Sequence, residues 1–180
     1  NHFSEGDKFL SQGNLDFAQT SFEQASALMP NLWGPHFKQG VVFGAKNKFG
    51  EAEKEYKLAL DIYPDHPSVL ANYGATLAVL GKIDKAEIFL RNAIRQWPNN
   101  SNAYNSLAQV YLQQNKNEKA RDMLLLAVTV NPKFGIGYAN LAMLYAMMNQ
   151  PDQAKDYLKI ALKLGVKKST MENLNKILLQ

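Results

Sequence analysis

The stretch SVLANYGATLAVLGKIDKAEIFLRNAIRQWP, from Ser68 to Pro98, reads as two helices joined by a tight turn. Ser68 to Leu80 is a run of good helix formers, Gly81 stops it, and Ile83 to Gln96 resumes. Pro98 has no N–H to donate and prevents the second helix from continuing. The same pattern returns along the chain at a fixed step of 34 residues. Pro30, Pro64, Pro98 and Pro132 stand at that step, as do two alanine columns, Ala18, Ala52, Ala86, Ala120, Ala154 and Ala25, Ala59, Ala93, Ala127, Ala161. A small-residue column runs Gly6, Gly40, Gly74, Ala108, Ala142, and a large apolar column follows it at Phe9, Phe43, Leu77, Tyr111, Tyr145. A second large column reads Phe22, Tyr56, Leu90, Leu124, Leu158. Agreement of five copies at five columns sets the architecture before any local reading does.

The columns have a steric logic. Where the first helix of a pair (helix A) crosses the second (helix B), Gly or Ala lets the backbones approach, and the large residue fills the space beside the contact. The turn column, Gly13, Asn47, Gly81, Asn115, Asn149, holds the two residue types that best tolerate a left-handed helix end.

These residues resemble the tetratricopeptide repeat (TPR), whose pattern is W-x2-L-G-x2-Y, then A-x3-F-x2-A, then P. The third copy supplies Leu70, Tyr73, Gly74, Leu77, Ala86, Leu90, Ala93 and Pro98. The resemblance covers nearly the whole chain and implies an all-α, right-handed superhelical solenoid. Five repeats are expected, at 1–32, 33–66, 67–100, 101–134 and 135–168, with a capping helix over 169–180. In that last segment Ser169 and Glu172 have capping-box spacing, and Met171, Leu174 and Leu178 recur at helical spacing to cover the end of the stack. Departures from the family pattern are local. His2 and His36 replace an aromatic, Glu5 and Gln39 replace a leucine, Pro151 opens the fifth B helix, and Gly165-Val166 stands where the fifth proline would fall.

Composition narrows the function classes. With 46% hydrophobic residues among 180, the chain is too apolar to be disordered. Its lack of cysteine excludes disulfides, thiolate metal sites and a thiol nucleophile, and leaves the compartment open. The net charge of +4 is thin, and no Lys/Arg run exceeds Lys167-Lys168. Gln96 to Asn115 lacks charge but is too polar for a bilayer, and Phe134 to Pro151 is interrupted by Asn140, Asn149 and Gln150, so no membrane span is expected. The chain opens on Asn1 without a signal-like run and reads as a fragment or processed form of a soluble protein, cytoplasmic or periplasmic.

The chemistry-bearing residues are few. There is no HExxH, GxSxG, Walker A or GxGxxG match, and no enzyme activity, metal or cofactor is expected. His2 and His36, one repeat apart, read as packing substitutes for an aromatic rather than as metal ligands. His66, in Pro64-Asp65-His66-Pro67, is expected to face solvent, and Asn99-Asn100-Ser101 is a sequon of the kind polar turns produce by chance.

Charge placement is more informative. The A helices of copies three, four and five carry no charged residue, whereas the third B helix alone has Lys82, Asp84, Lys85, Glu87, Arg91 and Arg95. In the family that the chain resembles, A helices line a concave groove, which implies a neutral, partly apolar groove on a charged shell. The family geometry names the groove positions: Phe3 and Asp7; Phe37 and Val41; Ala71, Asn72 and Ala75; Asn102, Asn105 and Gln109; Ile136, Asn140, Met143 and Met147. The family's carboxylate clamp is not matched, since its places hold Phe3, Asp7, Lys38, Ser68 and Asn72. The asparagine ladder of the family's glycosyltransferase members is met only at Asn72 and Asn140.

The resulting expectation is a non-catalytic scaffold that holds a peptide or helix of a partner protein in this groove. Two alternatives stand beside it: a structural protein that self-assembles into a homo-oligomer, and the recognition arm of a larger enzyme such as a glycosyltransferase. Nucleic acid ranks last, because a nucleic-acid groove would need basic A helices.

Overall fold

The computed structural model describes residues 2–167, so the expected cap at 169–180 lies outside the described residues. Among the described residues there are ten α-helices and no strand: α1 (His2–Ser11), α2 (Leu15–Leu28), α3 (Trp33–Ala45), α4 (Phe49–Ile62), α5 (Pro67–Val79), α6 (Ile83–Gln96), α7 (Ser101–Gln113), α8 (Asn117–Val130), α9 (Gly135–Met147) and α10 (Pro151–Lys163). This is the all-α, two-helix repeat that the 34-residue period predicts. The chain divides into two compact units, Asn1–Trp97 and Pro98–Gln180. The first holds α1 to α6 and the second α7 to α10.

Each A helix hands over to its B helix through one backbone device. Gly13, Asn47, Gly81, Asn115 and Asn149 all adopt positive φ, between 57° and 75°. The residue after each donates back across the turn, as Lys48 N does to Phe43 O at 2.8 Å and Lys82 N to Leu77 O at 2.8 Å. A second bond, such as Asn47 N to Gly44 O at 3.0 Å, completes the motif that satisfies the last helical carbonyls. Gly165, at φ 88°, ends α10 in the same conformation, where earlier copies stop before proline.

Within each pair the small column meets the large one. A Cβ placed on Gly6 would come 2.6 Å from Phe22 Cε1, one on Gly40 2.5 Å from Tyr56 Cε1, and one on Gly74 2.7 Å from Leu90 Cγ. In the second unit the column changes to alanine opposite leucine, and Ala142 and Leu158 share one core cluster. Ala18, Ala52, Ala86, Ala120 and Ala154 are fully buried, as are Ala59, Ala93, Ala127 and Ala161.

One polar position departs from the expectation, and two others find partners that the sequence does not name. His66 does not face solvent: its ring lies 3.9 Å from that of Trp33 and 5.3 Å from that of Tyr63. Its Nδ1 accepts the Val69 N–H at 3.4 Å, so it is the N-cap of α5, with Pro67 at the first helical position. The proline after it fixes the helix start, and the preceding turn folds the ring onto α3. His36 occupies its packing position with a polar partner, Glu55 Oε2 at 2.8 Å from Nδ1, both side chains mostly buried. Gln39 is buried where the family has leucine, because its Nε2 reaches back to α2 and donates to Phe22 O at 3.1 Å and Ser26 Oγ at 2.8 Å.

Two outcomes test this packing. Gly40→Ala is expected to lower stability by about 1–3 kcal/mol in urea unfolding through overpacking, despite the gain of ~1 kcal/mol in helix propensity. Tyr56→Leu in the same chain should recover a large part of that loss, since the second unit already pairs alanine with leucine; a fully additive double mutant would contradict the close approach. Burial lowers the His66 pKa from its ordinary value of 6.5. The folded state therefore favours the neutral ring, the unfolded chain binds the proton more readily, and stability should fall as pH drops below about 6.5. NMR titration of the ring should give a midpoint below that value, and His66→Asn, which keeps a capping acceptor, should flatten this part of the pH dependence of the melting temperature.

Candidate functional site

The A helices of the first unit place the expected residues in unequal situations. Phe3 is half-buried and packs edge-on against Phe22, with ring centroids 5.7 Å apart, so it belongs largely to the core. Asp7 is tied to Lys38, Oδ1 to Nζ at 2.7 Å, which neutralises the two charges on α1 and α3 against each other. Phe37 is half-buried in an aromatic group with Tyr56, Trp33 and His66, at ring distances of 6.0 to 6.2 Å. Ala71 is buried, whereas Val41 and Ala75 are half-exposed and offer apolar surface. Asn72 is exposed, but its Nδ2 donates to Ser68 O one turn earlier at 2.8 Å. One N–H of that amide is therefore spent on its own helix, which leaves its second N–H and its oxygen.

The second unit is more open. Ile136, Met143 and Met147 are large apolar side chains with 58%, 46% and 64% of their surface exposed, on a helix without a charged residue. Asn102 and Gln109 are exposed, Asn140 is half-buried and Asn105 is buried. The two asparagines meet across α7 and α9, Asn140 Nδ2 donating to Asn105 Oδ1 at 2.7 Å. Beside this bond a recess of about 170 Å³ opens between the two helices, with Gln109, Asn140, Met143 and Met147 joined by Ala108, Leu112, Leu124 and Leu144. Sequence reasoning found the first four of these. It missed the other four; Ala108 and Leu124 read as core columns from their periodicity, and Leu112 and Leu144 were not singled out.

Another exposed set was also missed. Leu28, Ile62, Tyr63 and Trp97 stand at the C-terminal ends of the first unit's B helices, 38% to 71% exposed. Their signal in the sequence was a large apolar residue at or next to a helix end, which looks the same as a buried one. Among the described residues no three His, Asp or Glu side chains converge in a way that would hold a metal. No described helix is long and apolar enough to cross a membrane.

Comparison with known proteins agrees with the repeat geometry. Tetratricopeptide-repeat models match residues 36–66, 65–133 and 140–164. TTC0263, a thermophilic TPR protein of Thermus thermophilus, is similar with a TM-score of 0.86 and 20% identity, covering 100% of this chain and 98% of that one. Pseudomonas aeruginosa pilF is similar with a TM-score of 0.81 and 23% identity, covering 92% and 76%. A chain of the APC/C hetero-tetramer Cut9–Hcn1 reaches a TM-score of 0.90 at 18% identity, covering 99% of this chain but 36% of its own length. At these identities the likeness is one of fold. No curated protein sequence matches the chain. The 34-residue period, the positive-φ turns and the matched family models together place the chain in the tetratricopeptide-repeat family.

Proposed function

We propose that the chain is a non-catalytic protein-interaction scaffold whose A helices hold an uncharged segment of a partner protein. The observation that carries this reading is the segregation of charge. Helices α5, α7 and α9 contain no Asp, Glu, Lys or Arg, while α6, α8 and α10 are laced with them. Charge on the B helices supports solubility, so the neutral A faces need another reason. Solvent-exposed Met143, Met147 and Ile136 supply one, because apolar surface concentrated on one helix marks contact with another molecule more often than it marks nothing. The family gives general support, since its members serve as protein-binding scaffolds, and one structural neighbour is a chain of a hetero-tetramer.

The expected groove residues enter this reading with different weights. Val41 and Ala75 in the first unit, and Gln109, Ile136, Asn140, Met143 and Met147 in the second, have surface to offer. Phe3, Phe37, Ala71 and Asn105 serve the reading by shaping the helices behind that surface. Affinity capture with the wild-type chain, followed by mass spectrometry, tests the reading against the Val41→Asp/Ala75→Asp variant. That variant should keep a helical circular dichroism spectrum and lose the captured partner. Equal capture by both proteins would overturn the proposal.

A further inference from the structure

Three of the chain's six methionines, Met143, Met147 and Met148, lie at the C-terminal end of α9. The 34-residue step makes this placement unusual. In none of the other four copies does methionine stand where Met143 and Met147 do, and the copy before holds Gln109 and Gln113 there. Packing within the repeat therefore does not call for a thioether at either position. The two stand about one turn apart, 46% and 64% exposed, whereas Met123 and Met148 are half-buried. Both border the recess beside α7, next to the aliphatic Leu124 and Leu144. With Ile136, on the same stripe of the helix, they are the large apolar side chains that α9 exposes, and no charged residue interrupts them.

A thioether suits an apolar surface as leucine does, but its sulfur also carries a lone pair that a hydroperoxide can reach. The lone pair attacks one peroxide oxygen, an S–O bond forms and the O–O bond breaks. The departing oxygen takes up the proton and leaves as water or an alcohol, so sulfur loses two electrons and the peroxide gains them. The product is a polar sulfoxide. On the free chain its oxygen is hydrated, because both side chains are exposed, and the buried side of α9, with Leu141, Ala142 and Leu144, is untouched. Against an apolar partner the same oxygen must give up its water beside aliphatic carbon. Oxidation thus costs the bound state and spares the fold. We propose that Met143 and Met147 form a reversible oxidation site, at which a hydroperoxide turns the exposed face of α9 from apolar to polar and releases an apolar partner. A dithiol, acting through methionine sulfoxide reductases, removes the oxygen as water, becomes a disulfide and restores the thioether. Such control rests on the scaffold reading above, since it acts on what α9 binds.

Limited treatment of the full chain with hydrogen peroxide, stopped with catalase and mapped by peptide mass spectrometry, tests the chemistry. Met147 and Met143 should gain oxygen ahead of Met123 and Met148, and the melting temperature should stay where it was. The probes for binding are peptides selected on the reduced chain from a phage-displayed random dodecapeptide library, kept where Ile136→Asp abolishes their binding. By fluorescence anisotropy, the oxidised chain should bind them at least about tenfold more weakly, the scale of one polar group desolvated without a partner. Methionine sulfoxide reductases with dithiothreitol should restore the affinity. In Met143→Leu/Met147→Leu, whatever its starting affinity, peroxide should cause no fall. Oxidation of Met123 or Met148 at the same rate, an unchanged affinity after both exposed methionines are oxidised, or an equal fall in the double leucine variant would each overturn the oxidation site and leave the scaffold reading intact. Recovery of no peptide would count against the scaffold reading and the control that rests on it. Peptides that bind but ignore Ile136→Asp would place binding away from α9 and overturn the oxidation site alone.

Discussion

The backbone of each A helix in the first unit runs so close to its B helix that a single Cβ would not fit. At Gly6, Gly40 and Gly74 the added carbon would sit 2.5 to 2.7 Å from the facing side chain, well inside van der Waals contact. That approach fixes how deeply the two helices interlock, and the facing Phe22, Tyr56 or Leu90 then fills the space it creates. Interiors packed to crystal-like density do not absorb an extra methyl group without a shift. The alanine columns extend the same constraint, since residues such as Ala18, Ala52 and Ala86 are fully buried where any larger side chain would part the helices. The repeat is therefore a rule about volume, reapplied every 34 residues.

With packing satisfied by small and apolar columns, polar residues are free to be distributed by other demands. The B helices carry the charge, and some of it ties neighbouring elements together, as Lys46 does with Asp16 at 2.6 Å and Lys82 with Glu53 at 2.6 Å. Exposed pairs of this kind contribute little to stability and are screened by salt. The A helices of the later copies carry none, and in α9 the apolar residues go almost all the way round, from buried Leu141 and Leu144 to exposed Met143 and Met147. This departs from the usual surface helix, whose solvent face is polar.

Legibility followed the physics of each residue. The turn column was readable because only Gly and Asn settle easily at positive φ, and all five positions adopt it. The small and large columns were readable because volume is a property of the residue itself. His66 was not: a histidine between two prolines looks like a surface turn, and its cap to Val69 and stack on Trp33 depend on where α3 lies. Gln39 and His36 marked themselves as departures from the family pattern, yet their partners, Ser26 and Glu55, stand on other helices. Among the groove residues, Phe3 and Ala71 looked like Met143 and Met147 in pattern and differ from them in exposure.

By itself, then, the sequence determined the period, the helix pairs, the turns and the neutrality of the later A helices, because these rest on the volume, charge and backbone preference of single residues. Only the tertiary structure decided which of those neutral residues face outward and how two helices leave room between them. The recess beside Asn105 and Asn140 exists because α7 and α9 come together at one distance and rotation, and side chains from two repeats must meet before an exposed methionine becomes the edge of a recess.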